Sequence, residues 1–342
     1  MTVTQNISNL KTTWELNAHR FISLRYTYSF SQLLMVDPRR LNLHINKPIY
    51  FTFEIPKRKS GVRKIQAPND DLKSIQKRLN YFLQAVYLKV KPNCVHGFVC
   101  KPGYLVLPFN IVSNASVHIN TKHLLNLDVQ DFFPSISAKR VKDTLMSEPF
   151  CFNDEISTLI ALLGSYQKKL PTGSPCSPIL ANIVCYEMDI ELEKFCSGNC
   201  INFTRYADDL SFSGNSYFST EIIEQIKSII NKHQFTLNEK KIRLQSSKSK
   251  QTVTGIVVNK KANVDRKYIR NLRAILHDWK NNGLDKAAAR HLHIVVTDVF
   301  VLEKFLLKIK GQIDFVGQVR GKADGIFNKL KVNYYNLILL TK

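Results

Sequence analysis

The chain of 342 residues is long enough for about two domains of roughly 150 residues each, or for one multi-lobed enzyme, with a core that needs no disulfides. Hydrophobic residues make up 44% and charged residues 22% of it, which excludes a disordered or collagen-like chain, and no apolar run of about 18 residues is present to span a membrane. The 49 Lys and Arg exceed the 27 Asp and Glu by 22, and this surplus indicates a polyanionic partner, with nucleic acid favoured over a membrane surface.

The cysteines and the N-terminus bear on the cellular compartment. Seven cysteines are an odd number, and no Cys-x-x-Cys pair occurs, so we expect neither a zinc site nor a disulfide framework. Residues 1–11 are polar and lack the apolar stretch of a signal peptide. We therefore expect a cytoplasmic protein with reduced, mostly buried thiols.

The first third of the chain predicts helices around one hairpin. Residues 1–47 form a mixed, partly helical segment, and residues 48–66 read as two strands joined by a basic turn over 57–61. Residues 71–90 predict an amphipathic helix. Its apolar face consists of Leu72, Ile75, Leu79, Phe82, Leu83 and Val86.

The middle of the chain alternates between strand and helix patterns. Predicted strands cover residues 122–129, 243–244 and 252–258, and predicted helices cover 138–146, 154–163, 179–195 and 220–232. Residues 201–213 predict a hairpin with Ala207 and Asp208 at its tip.

From Asp265 onward the pattern is helical and two faces can be distinguished. The apolar stripe consists of Tyr268, Leu272, Ile275 and Trp279. Arg266, Arg270 and Arg273 share another face, which is either a plain solvated surface or a surface that follows a nucleic-acid backbone.

Three carboxylates occupy positions where a carboxylate is costly. Asp128 ends an apolar strand, and Asp208 and Asp209 lie at the tip of an apolar hairpin. If these ends lie side by side, the carboxylates repel one another unless cations such as Mg²⁺ neutralise them, and two ions about 4 Å apart suit phosphoryl transfer. An Asp-Asp pair is equally typical of an ordinary turn, so the residues alone leave both interpretations open.

Four segments, in this order, resemble the motifs of reverse transcriptases. They are residues 126–136 (NLDVQDFFPSI, motif A), 170–178 (LPTGSPCSP, motif B), 203–209 (FTRYADD, motif C) and 238–241 (NEKK, motif D). Residues 114–118 (NASVH) and 253–255 (VTG) resemble two signatures of the bacterial retron reverse transcriptases. The resemblance covers residues 48–260; Thr172 stands where motif B usually has Gln, and the 99–112 loop is longer than the usual link.

The resemblance implies a role for each of the motif A and motif C residues. Asp128 and Asp208 would bind two Mg²⁺ ions, and Asp209 would be the more peripheral carboxylate. Phe133 would lie beneath the incoming sugar, where an aromatic ring clashes with a ribose 2′-OH, unless it is simply a core residue.

Basic residues would contact the nucleotide and the leaving group. Arg63, after the basic turn, would bind the triphosphate, because a guanidinium forks onto phosphate oxygens. Lys59 or Lys64 could assist, or could be idle surface residues. Lys241 or Lys240 would lie near the leaving pyrophosphate.

The implied fold is the α+β right-hand polymerase, with fingers, palm and a helical thumb. The predicted division is an N-terminal extension (1–47), fingers (48–120 and 141–172), palm (121–140 and 173–260) and thumb (261–342).

The implied function is RNA-directed synthesis of DNA from dNTPs. The retron resemblance further implies a dedicated structured noncoding RNA, priming from a guanosine 2′-OH, a branched RNA–DNA product (msDNA), and a role in anti-phage defence with a separate effector protein. Two alternatives stay open: a group II intron-type or diversity-generating reverse transcriptase, and a catalytically silent RNA-binding scaffold.

Overall fold

The computed structural model describes residues 3–57, 61–100, 109–294 and 298–341, and these divide into two units. One unit comprises Met1–Asn114 and His123–Leu244, and the other comprises Ala115–Lys122 and Gln245–Lys342. Lys59 and residues 101–108 of the predicted long loop lie outside the described residues. The second unit is therefore built from two stretches that are far apart in the sequence.

Three helices precede the first strand: α1 (Val3–Ile22), α2 (Thr27–Leu33) and α3 (Pro38–Asn46). Helix α3 begins after Asp37, whose side chain accepts hydrogen bonds from the backbone N–H groups of Arg39 and Arg40. The helical character predicted for residues 1–47 is confirmed.

A two-stranded hairpin follows, with β1 (Tyr50–Pro56) antiparallel to β2 (Val62–Pro68). Helix α4 (Asp70–Val90) begins after Asn69, whose side chain accepts a hydrogen bond of 3.1 Å from the backbone N–H of Leu72. The predicted apolar face of α4 is buried except for Phe82, which is only partly buried.

Six more helices lie wholly or partly in the first unit. They are α5 (Ile111–Ser116), α6 (Ala138–Met146), α7 (Asp154–Gly164), α8 (Ser177–Val184), α9 (Tyr186–Gly198) and, after the central hairpin, α10 (Thr220–Lys232), of which α5 runs into the second unit. The prediction of one helix over 179–195 is wrong in one respect, because α8 and α9 meet at Cys185. There φ is −78° and ψ is −6°, and a ψ near zero interrupts the regular helical turn.

The first unit is centred on the sheet that carries the motif A and motif C strands. The strands are β3 (His123–Asp128), β4 (Asn202–Tyr206), β5 (Asp209–Gly214) and β6 (Arg243–Ser246), in the spatial order β4-β5-β3-β6. The last two residues of β6 belong to the second unit. The four central residues of β3 and the last five of β5 are buried, which requires cover on both faces of the sheet. Only the ends of β3 and β5 are not fully buried, so Asp128 and Asp209 mark the accessible end of the sheet.

Besides the end of α5, the described part of the second unit contains a small hairpin and four helices. Strands β7 (Thr252–Val253) and β8 (Ile256–Val257) are followed by α11 (Arg266–Asn282), α12 (Leu284–Leu292), α13 (Val299–Arg320) and α14 (Gly325–Thr341). On α11 the buried residues are Ile269, Leu272, Leu276 and Trp279, whereas the predicted members Tyr268 and Ile275 are half-buried at its margins. The three arginines predicted to face outward are exposed.

The α+β fold class predicted from the sequence is confirmed by these elements. No helix within the described ranges combines the length and the apolar character needed to cross a membrane.

Candidate active site

The three acidic residues of motifs A and C come together at one end of the central sheet. In the antiparallel register of β3 and β5, Asp128 lies directly opposite Asp209. Asp208 occupies the two-residue turn between β4 and β5, and its carbonyl oxygen accepts a hydrogen bond of 3.0 Å from the backbone N–H of Val129. Motif A and motif C are thereby joined backbone to backbone beside the carboxylates.

The turn that presents Asp208 has an unusual backbone. Ala207 has a φ of +59°, in the left-handed region that residues with a Cβ adopt infrequently. Its carbonyl oxygen accepts a hydrogen bond of 3.2 Å from Nη1 of Arg205. Gly97 packs against the same turn so closely that a Cβ there would lie 2.6 Å from the backbone nitrogen of Ala207. The turn is therefore held from two directions.

Two of the three carboxylates have raised pKa values. Burial raises the pKa of Asp208 and the charge of Asp128 raises it further, while Lys241 and Arg63 oppose the shift. Burial, followed by the charges of Asp208 and Asp128, raises the pKa of Asp209 to about 6. Ionising all three carboxylates is costly, so the site favours the binding of cations.

Lys241 supplies one positive charge from within the chain. It ends the 3₁₀ turn Glu239–Lys241, and its Nζ donates to both carboxylate oxygens of Asp128 at 3.0 and 2.8 Å. The turn is anchored because the backbone N–H of Asn238 donates to the carbonyl oxygen of Asp128 at 2.8 Å. Of the two lysines considered for motif D, Lys241 contacts Asp128, and Lys240 is exposed.

These side chains are chemically suited to bind a metal ion, but they do not form a ready-made ligand cage. Among the residues described, no group of three or more His, Cys, Asp or Glu side chains is arranged to hold an ion. Lys241 already pairs with Asp128 where a cation would bind. Three carboxylates, two of them with raised pKa values, nevertheless form an all-oxygen donor set that fits Mg²⁺.

Phe133 follows Asp128 in motif A and is half-buried. Its ring centroid lies 5.5 Å from that of Phe132, which is 6% exposed, and 5.8 Å from that of Phe98. Phe133 thus packs against the core without being fully buried in it.

The two basic residues of the hairpin differ in their relation to the site. Arg63 and Lys64 are both exposed on β2, opposite Ile55 and Glu54. The charge of Arg63 lowers the pKa of Asp208, so this side chain lies within electrostatic reach of the carboxylates. Lys64 is not among the charges that most affect the pKa of Asp208 or Asp209.

Motif B fastens β2 to the rest of the first unit. Thr172 Oγ1 donates to the carbonyl oxygen of Lys64 at 2.8 Å and accepts from the backbone N–H of Gln66 at 3.3 Å. A Cβ on Gly173 would lie 2.6 Å from the carbonyl oxygen of Gln66, so only glycine fits there. Thr172, which replaces the usual Gln, therefore uses its hydroxyl within the protein.

Sequence reasoning missed the buried ion pair beneath motif C. Arg205 is fully buried, and its Nε and Nη2 donate to the two carboxylate oxygens of Asp189 at 2.7 and 2.6 Å. Nη1 also donates to Oδ1 of Asn182 at 3.0 Å. The available signal was that Arg205 falls in the same alternating row as Ile201, Phe203 and Ala207, where a buried charge requires a partner.

The residues that follow the two short signatures are joined in the second unit. Asn120, just after residues 114–118, donates its backbone N–H to the carbonyl oxygen of Val258 at 3.0 Å, and Val258 follows β8. Thr254 and Gly255 form the turn between β7 and β8, with φ values of +46° and +85°. This hydrogen bond therefore joins the residues that follow each signature, although the two signatures lie far apart in the sequence.

The comparisons with known proteins agree with this geometry. A family profile described as "Reverse transcriptase (RNA-dependent DNA polymerase)" matches residues 55–258. The Retron Mx65 reverse transcriptase of Myxococcus xanthus is 31% identical over 262 residues, which is 71% of this chain and 59% of the relative. The Retron Ec86 reverse transcriptase of Escherichia coli is 33% identical over 170 residues, which is 49% of this chain and 52% of the relative.

The aligned part of this chain thus spans between half and three fifths of the length of these two relatives. Among solved structures, a telomerase from Candida albicans in complex with a fragment of telomeric RNA aligns with a TM-score of 0.48 and 11% identity, covering 86% of this chain and 64% of that chain. On the strength of the family match, which includes all four motifs, the chain belongs to the reverse transcriptase (RNA-dependent DNA polymerase) family.

Proposed function

We propose that this chain is an RNA-directed DNA polymerase that extends a primer with deoxynucleotides on an RNA template. The observation that carries the proposal is the register of β3 and β5, in which Asp128 lies opposite Asp209 beside the turn that presents Asp208. Carboxylates whose ionisation is costly without cations are what a two-metal nucleotidyl transfer uses.

Asp128, Asp208 and Asp209 would hold the two Mg²⁺ ions. When bound, the ions supply charge neutralisation for the attacking and leaving oxygens. Arg63 orients the triphosphate, because its charge already acts on Asp208 and its guanidinium forks onto phosphate oxygens. Lys241 neutralises the leaving pyrophosphate, since its ammonium lies beside Asp128.

We assign sugar selection to Phe133, which is only half-buried and would lie beneath the incoming sugar. Because the side chain is rigid and aromatic, it excludes a ribose 2′-OH by steric contact. Lys64, on the exposed hairpin, would assist Arg63 in binding the triphosphate.

We further infer that the partner is the structured noncoding RNA of a retron. The relatives that match this chain are named retron reverse transcriptases, and both short signatures are present. On this proposal, synthesis starts from a guanosine 2′-OH of that RNA and yields a branched RNA–DNA product, msDNA. A separate effector protein would couple the product to anti-phage defence.

The hand-like division assigns residues 48–120 and 141–172 to the fingers, 121–140 and 173–260 to the palm, and 261–342 to the thumb, with 1–47 as an extension. The net charge of +22 supports an extended contact with nucleic acid.

The test is primer extension on an RNA template with dNTPs and Mg²⁺. Asp208→Asn should abolish DNA synthesis and leave RNA affinity unchanged, because it removes one carboxylate from the site and leaves the basic surface intact. The matched control is Asp143→Asn, an exposed carboxylate paired with Lys139 on α6, which should remain fully active. Full extension by Asp208→Asn would refute the site. No extension by the wild type, together with tight RNA binding, would instead indicate a silent RNA-binding scaffold.

A further inference from the structure

The segment 94–98 follows the outer edge of the motif C strand. The carbonyl oxygen of Cys94 accepts a hydrogen bond of 2.8 Å from the backbone N–H of Arg205, and the backbone N–H of His96 donates to the carbonyl oxygen of Arg205 at 3.0 Å. The buried Asn182 donates its Nδ2 to the carbonyl oxygen of Gly97 at 3.0 Å. The segment is thereby fixed relative to the strand that leads to the catalytic turn.

Phe98, at the end of this segment, has a strained backbone. Its φ is +61°, and a bulky side chain is rare in the left-handed region. The buried Gln84 holds the conformation, because its Nε2 donates to the carbonyl oxygen of Phe98 at 2.9 Å while its Oε1 accepts from the backbone N–H of Cys100 at 3.0 Å. Such conformations persist where the surroundings enforce them, and they cluster at functional sites.

The ring of Phe98 stacks on that of Phe133, with centroids 5.8 Å apart and an interplanar angle of 30°. Phe132 contacts Phe133 as well, at 5.5 Å, and is itself packed against Phe235 at 5.9 Å. Phe132 belongs to the core, whereas Phe98 reaches Phe133 from the motif C side. Phe98 therefore connects the ring of motif A to the segment that borders the catalytic turn.

We propose that Phe98 is a positioning residue for sugar selection, which fixes the ring of Phe133 in the orientation that excludes ribonucleotides. The inference rests on the proposed function, in which Phe133 lies beneath the incoming sugar. Steric exclusion of one hydroxyl works only if the excluding ring cannot turn away, and a ring stacked on a second, anchored ring has fewer rotamers open to it. Phe98 acts through Phe133 and does not contact the nucleotide.

The experiment compares single-nucleotide incorporation of a dNTP and the matching rNTP, each as kcat/KM. Phe133→Ala should lower the preference for dNTP by roughly 100-fold, the order expected for steric rejection of one hydroxyl, and Phe98→Leu should lower it by about tenfold. Phe98→Tyr, which keeps an aromatic ring, should retain the wild-type preference. Phe82→Leu is the matched control, because this ring packs on Phe21 and Tyr81 away from the site.

Two further variants separate positioning from folding. Phe98→Gly deletes the ring while relieving the left-handed backbone, so it should fold and show the same relaxed selection as Phe98→Leu. In the double variant Phe98→Leu/Phe133→Ala the selectivity should equal that of Phe133→Ala alone, because Phe98 acts only through the ring of Phe133, which this variant lacks.

Three results would overturn the inference. If folded Phe98→Leu and Phe98→Gly discriminate like the wild type while Phe133→Ala does not, Phe98 has no positioning role and the proposed function stands. If Phe133→Ala keeps full discrimination, both the excluding ring and its support are refuted, although polymerase activity remains. If the wild type extends no primer with any nucleotide, the proposed function itself fails.

Discussion

Removing one partner of the buried ion pair between Arg205 and Asp189 should destabilise the first unit more than removing one partner of an exposed pair. Both side chains have 0% exposure, and the guanidinium donates to both carboxylate oxygens at 2.7 and 2.6 Å. Removing either partner leaves a buried, uncompensated charge, which costs about 3–5 kcal/mol. We therefore expect Arg205→Met and Asp189→Leu each to lower the free energy of unfolding by that amount.

The double variant Arg205→Met/Asp189→Leu should cost much less than the two single changes together. Replacing a whole buried pair by apolar residues is often neutral or stabilising, by about 1–4 kcal/mol. Against this, Oδ1 of Asn182 and the carbonyl oxygen of Ala207 lose the hydrogen bonds that Arg205 donates, at about 1–3 kcal/mol each. With mid-range values, about 4 kcal/mol is lost from the two hydrogen bonds and about 2 kcal/mol is gained by removing the buried pair, so we expect a net cost of about 2 kcal/mol. This is well below the roughly 6–10 kcal/mol expected if the single effects of about 3–5 kcal/mol were additive.

Urea unfolding followed by tryptophan fluorescence can measure this cycle. The chain has two tryptophans, Trp14 in the first unit and Trp279 in the second, so in a Trp279→Phe background the signal reports on the first unit. An unchanged m-value would show that each variant alters stability and not the surface exposed on unfolding. The reasoning would be refuted if either single variant cost less than about 1 kcal/mol, which is the range of exposed pairs, or if the double variant were additive.

Three further predictions concern the acidic site, the thumb face and motif B. Because the pKa of Asp209 is raised from 3.8 to about 6, its ionisation destabilises the folded state progressively as pH rises through this interval, so Asp209→Asn should stabilise the metal-free protein by about 3 kcal/mol at pH 8 and by about half of that at pH 5. Urea unfolding at both pH values tests this, and a pH-independent difference would contradict it. Replacing Arg266, Arg270 and Arg273 together by Gln should weaken RNA binding and lower the salt-dependence slope by about 0.9 or less per lost phosphate contact, whereas an unchanged slope would mean a merely solvated face. Thr172→Val removes two hydrogen bonds to β2 and should raise the KM for dNTP with little change in kcat, whereas an unaltered KM would show that β2 is held without them.

The sequence by itself determined the chemistry of the candidate site. Residues 126–136 and 203–209 each carry their carboxylates at the end of a strand pattern, and this placement depends only on neighbours within a few residues. The hairpin over 201–213, with Ala207 and Asp208 at its tip, was predictable for the same reason and is found as β4 and β5. The family resemblance rested on equally local strings of residues.

Tertiary structure alone decided which distant residues support that chemistry. The contact of Lys241 with Asp128, the stack of Phe98 on Phe133 and the ion pair of Arg205 with Asp189 each join separate elements. Hydrophobic periodicity predicts that a residue is buried but not which side chain it meets, because the partner is set by strand register and helix packing.

The same limit explains where the sequence predictions differ from the structure. The buried stripe of α11 is centred on Ile269 and Leu276 instead of Tyr268 and Ile275, because a helix can turn a neighbouring row of apolar residues toward the core at little cost. Likewise, residues 115–122 join the second unit although the strand after them, β3, lies in the first. Local pattern determined the elements and the reactive groups, and packing between elements determined which of them face one another.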